Sequence, residues 1–181
     1  MSLVFSSSVK ITIIPLVVML AIYAIGMAVG YHTPPIDSVG GDTFNDVTIF
    51  SFHFDENSNW ERFINIAVNN CMAALCSIIF GTLTFGVLAA VHAFFNAFIW
   101  GHAIGFYSTY LTRSELLWST VPHSGEILGM ALAACTGFFI SLNIFLPKYA
   151  QPFYHIICWG ILSFSLIIIS AFIESYVSMH L

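Results

Sequence analysis

Charge is what this chain lacks. Four Lys or Arg and nine Asp or Glu make up 7% of 181 residues, where a soluble domain carries roughly a quarter. A chain of this length can bury one core, but so few charges cannot cover its outside. A water-soluble globule is therefore excluded. Nucleic-acid binding is excluded too, because four cations cannot form the basic footprint that phosphates require. Cysteine is equally sparse. Cys71, Cys76, Cys135 and Cys158 form no Cys-x-x-Cys pair, and they read as small apolar packing residues rather than a disulfide or zinc framework.

What remains is apolar: 59% of the residues are aliphatic, aromatic or cysteine. The stretches free of Asp, Glu, Lys and Arg count the membrane crossings. There are 26 such residues between Lys10 and Asp37, 50 between Arg62 and Arg113, 21 between Glu126 and Lys148, and 25 between Lys148 and Glu174. About 20 helical residues cross roughly 30 Å of hydrocarbon, so the long gap holds two spans and the others one each. The expectation is one all-α transmembrane domain over 1–181, with spans near 11–31, 65–88, 92–111, 124–146 and 153–174. Continuous apolar runs exclude the alternating segments of a β-barrel. Pro15 is placed in the first turn of the first helix, Ser58-Asn59-Trp60-Glu61 has the spacing of a capping box, and Pro122 and Pro147 bracket the fourth span. Gly81, Gly86, His92 and Asn96 suggest a turn near 88–92.

An odd number of spans puts the termini on opposite sides. Lys10 and Lys148 face Arg62 and Arg113 across the membrane, a draw in the positive-inside count, and the first helix favours an N-terminus inside. Its apolar run exceeds the 7–15 residues of a secretory signal. The acidic loop 32–60 then lies outside. It lacks EF-hand spacing and reads as a solvated surface loop, with the apolar residues 47–54 lying on the membrane or capping the bundle.

Small residues recur every four positions: Gly125, Gly129, Ala133 and Gly137 in the fourth span, Ala93, Ala97, Gly101 and Gly105 in the third. That spacing lets two helix backbones approach. Packing within the chain is the plainer outcome; a dimer face, and with it a homo-oligomer, is the alternative. Asn69, Asn70, His92, Asn96, His102, His123, Glu126 and Asn143 are the polar residues within spans, and such residues face a protein interior. Glu126 follows Pro122 by four residues, about 6 Å along its helix, near free N–H groups that favour a carboxylate. His123 and Glu126 share a face.

Two chemistries fit that pair. In one, Glu126 accepts hydrogen bonds from neighbouring helices and fixes a polar interior. In the other, His123, Glu126 and a histidine of the third helix such as His102 hold zinc or another divalent metal for peptide-bond hydrolysis, although no His-Glu-x-x-His pair is present. Ser124 beside His123 is a sequence neighbour, not a catalytic pair. A small transporter is a third reading.

At these residues the chain resembles the stage II sporulation protein M family. The likeness rests on Asn69-Asn70 opening a span, Gly81 to Gly86, Asn96 followed by Gly101 and Gly105, and Pro122-His123 followed by Glu126 and Gly137. It covers about residues 59–140, and Ala97 stands where the family pattern has Gly. The resemblance implies a multi-pass protein of the cytoplasmic membrane. The family's namesake works with peptidoglycan-degrading enzymes during engulfment, and some relatives accompany genes for making and exporting circular bacteriocins. A non-catalytic scaffold or subunit follows from the likeness, with a cell-wall hydrolase or an exporter as partner. The orientation has a direct check: cysteine labelling from outside should reach position 45 and miss position 149.

Overall fold

The computed structural model describes residues 7–33 and 58–176. Five helices account for nearly all of them: α1 Ser7–His32, α2 Asn59–Leu83, α3 Val87–Tyr107, α4 Arg113–Phe145 and α5 Phe153–Tyr176. Each is long and apolar enough to cross a membrane, and there is no strand among the described residues. Most of the acidic loop, including residues 47–54, lies outside them.

Three boundaries differ from the sequence expectation. Pro15 lies well inside α1 rather than in its first turn. The turn between α2 and α3 falls at residues 84–86 instead of 88–92. There the Gly86 N–H donates to the Gly81 carbonyl at 2.8 Å, the long bond of a Schellman ending. Phe85 and Gly86 both take positive φ, 51° and 84°, and the Phe85 ring rests on Phe145 with centroids 5.4 Å apart. Gly86 marks the turn; His92 and Asn96 are helical. Finally, α4 does not start at residue 124. It begins eleven residues earlier and runs straight through Pro122.

Local chemistry explains that early start. Thr112 and Glu115 form a full capping box: the Thr112 hydroxyl accepts from the Glu115 N–H, and the Thr112 N–H donates to the Glu115 carboxylate at 2.8 Å. Ser58 caps α2 in the expected place, accepting from the Glu61 N–H at 3.2 Å. Where backbone groups have no water to turn to, a helix persists through a proline instead of fraying.

The long helix is the axis of the bundle. α4 touches each of the other four helices, and 67% of its apolar stretch is buried, against 17–28% for the others. Its alanines 131, 133 and 134 and Phe139 sit in the core with Ala74, Ala89, Ala93, Ala97 and Ile167. Apolar residues such as Ile14, Leu83, Val87 and Ile161 point outward, as lipid-facing side chains do.

Glycines set how closely the helices meet. Gly26 and Gly30 of α1 lie against the Phe94 and Phe98 carbonyls of α3, while Gly101 and Gly105 of α3 lie against the Met27 and Tyr31 carbonyls of α1. The seam is reciprocal, so the α3 stripe is consumed within the chain. The α4 stripe is shared: Gly125 and Gly129 abut Ser170, Ile167 and Ser163 of α5, whereas Gly137 abuts Ile78 and Gly81 of α2. A period of four overshoots a helical turn by about 40°, so three steps rotate the stripe from one neighbour to the next. A Cβ on Gly101 would meet backbone that cannot move aside, but one on Gly160 would find its nearest neighbour, Thr136 Cγ2, at 3.8 Å. Gly101→Ala should lower the stability of the detergent-solubilised protein by about 1–3 kcal/mol, and Gly160→Ala should leave it unchanged or raised; thermal unfolding measures both.

Candidate functional site

The chain order gives each helix end a side. The start of α1, the 84–86 turn and the Pro147–Tyr149 turn share one side, and the ends of α1, α3 and α5 share the other. His123 and Glu126 lie in the half of α4 nearer the second side. They are one helical turn apart, and His123 Nδ1 is 3.2 Å from Glu126 Oε2. A third residue joins them. Glu174, almost at the end of α5, brings its Oε2 to 3.5 Å from the same Nδ1. One ligand-type atom from each of His123, Glu126 and Glu174 lies within 4.8 Å of the other two. His123 and Glu126 are 8% and 6% exposed.

Acidic groups are concentrated here. Two carboxylates and one imidazole can supply only one positive charge of their own, the imidazolium, and removal from water strengthens every charge interaction there. The arrangement can hold a shared proton or a cation. Trp100 of α3 covers the imidazole with ring centroids 3.7 Å apart. A cavity of about 370 Å³ opens beside His123, walled by Met27 of α1, Trp100 and Ile104 of α3, and Leu116, Thr120 and Ile127 of α4. It is almost wholly apolar, with His123 as its titratable lining group.

The other sequence-identified residues are dispersed. His92 shares a 2.8 Å hydrogen bond with the Ser77 hydroxyl, joining α3 to α2 on the first side. Asn143 clamps the end of α4, accepting from the Gln151 N–H at 2.7 Å and donating to its carbonyl at 2.9 Å. Asn69 and Asn70 are half-buried on α2. His102 is buried and stacks on Phe98 of its own helix; it is not part of the cluster, so the third ligand-type group is an α5 carboxylate and not a third-helix histidine. Nor does Glu126 sit near a helix N-terminus. It lies 13 residues into α4, about 20 Å from the start of the helix, so its contact is the His123 imidazole rather than free N–H groups.

Sequence reasoning missed Glu174, Asn65 and Tyr23. Glu174 serves there only to close the last charge gap, although it is the sole acid after Glu126. Asn65, taken as the entrance to the second span, is buried. Tyr23 of α1 is 3% exposed, and its hydroxyl lies near Asn96 of α3. A lone tyrosine among apolar residues offered no signal.

Five membrane-length helices around an internal polar cluster define a multi-pass helical membrane protein, with the lipid bilayer as its solvent. The model of the family described as Stage II sporulation protein M matches residues 10–179. The chain belongs to that family, and the match extends well beyond the residues 59–140 that carried the resemblance. No curated protein and no solved structure matches the chain.

Polar contacts between helices should carry modest, separable energies. Ser163 of α5 donates to the Gly129 carbonyl at 2.7 Å and is fully buried. Ser163→Ala should cost about 0.6–1.7 kcal/mol in reversible unfolding in detergent or bicelles.

Proposed function

We propose that the chain is a non-catalytic subunit of an envelope assembly, a scaffold in the cytoplasmic membrane that holds partner proteins for envelope remodelling or peptide export. The observation that carries this reading is the α3–α4 hairpin. α4 spans 33 residues, about 50 Å, which exceeds the roughly 30 Å of the hydrocarbon core. Its first three turns extend about 15 Å past His123. The projecting turns present Tyr110, Leu117 and Trp118, which are 74%, 63% and 54% exposed. Aromatic residues with a polar tip suit a surface where lipid, water and a partner meet. The capping box at Thr112 and Glu115 fixes the start of this projection.

Family membership supports the same reading, since the namesake works beside peptidoglycan-degrading enzymes. A cell-wall hydrolase or an exporter is the partner class to seek. The second reading is a metal-dependent hydrolase using His123 and Glu126, favoured by the cavity against His123.

One variant separates the two. Under the scaffold reading, Glu126→Gln lowers the abundance of the folded protein and of its partner complex. Gentle purification from the native membrane, followed by identification of co-purifying proteins, measures this. A folded, partner-bound Glu126→Gln protein that lacks only hydrolysis of an envelope peptide would establish the enzyme instead.

A further inference from the structure

We propose that His123, Glu126 and Glu174 form a binding site for one first-row divalent cation, zinc by preference, that ties α4 to α5. The site would exist under either functional reading, because metal binding requires no hydrolysis.

Donor chemistry comes first. One imidazole nitrogen and two carboxylate oxygens suit zinc or a neighbouring first-row ion, whereas magnesium and calcium prefer oxygen alone. Zinc bonds of roughly 2.0–2.2 Å place neighbouring ligand atoms about 3.4 Å apart. The two distances from His123 Nδ1, 3.2 and 3.5 Å, already match. The two carboxylates, at most 4.8 Å apart at the ligating atoms, need to close by about 1.4 Å or less, within the reach of a χ rotation. His123 and Glu126 are held by one helical turn, so only Glu174 comes from elsewhere.

Charge points the same way. A divalent cation balances two carboxylates in a place where an unbalanced charge is costly. The cation displaces the Nδ1 proton and leaves the imidazole neutral, as a ligand must be.

The surroundings add to this. Trp100 covers the His123 ring and the cavity beside it is almost wholly apolar, so water gives an uncompensated charge there little support.

The test uses the full chain in detergent, carrying an affinity tag without histidine, stripped by chelator and then equilibrated with zinc chloride. Wild type should bind one zinc per chain by elemental analysis, and its thermal midpoint should rise with zinc. Equal concentrations of magnesium should not raise it. Glu174→Gln should weaken zinc binding by at least about tenfold. The metal-free Glu174→Gln protein should still unfold cooperatively in the same thermal scan, which separates a lost ligand from a lost fold. Wild type without zinc, Glu174→Gln with undiminished zinc, or an equal response to magnesium would overturn the assignment.

Discussion

Helices in lipid receive no hydrophobic push toward one another, so contact between backbones has to come from shape. In this protein that constraint falls on glycine. The α1–α3 seam closes only because Gly26, Gly30, Gly101 and Gly105 let each helix lie on the other's carbonyls. The α4 seams to α5 and α2 close through Gly125, Gly129 and Gly137. Everything polar in the interior depends on those distances. Ser163 reaches the Gly129 carbonyl, and Glu174 reaches His123, because α5 is drawn onto α4 at two glycines one turn apart.

Against that frame the polar residues divide by job. Ser77 with His92, and Asn143 with Gln151, are paired and hold elements together on the side of the α2–α3 turn. His123, Glu126 and Glu174 are gathered on the other side, two carboxyl groups to one imidazole, with a cavity against the imidazole. Charge inside a membrane protein is costly unless a counter-ion or a function offsets it. The asymmetry between the two ends of the bundle is therefore chemical as well as geometric, and the projecting α3–α4 hairpin rises on the end where the charge is held.

Much of the architecture was legible because lipid imposes a simple rule on composition. Charge gaps located five spans, and the Ser58-x-x-Glu61 signal located the start of α2. The sequence also contains the start of α4, in Thr112-Arg113-Ser114-Glu115, but Pro122 ten residues later gives a competing boundary signal. The capping box wins because it starts the helix well before the proline, which then falls inside an established helix. The α2–α3 turn is hard to place because polar residues such as His92 and Asn96 resemble loop polarity, whereas His92 makes a helix-to-helix hydrogen bond.

The solvent, the number of crossings, the small-residue faces and the shared face of His123 and Glu126 were determined by sequence alone, since each follows from composition or from a spacing of three or four along one helix. The tertiary structure decided which seam each glycine serves and that the third member of the cluster is Glu174. Those are relations between helices far apart in the chain, 48 residues in the case of Glu126 and Glu174. No local periodicity encodes which face of α5 turns toward α4. That is set only when the packed backbones leave one arrangement without a clash.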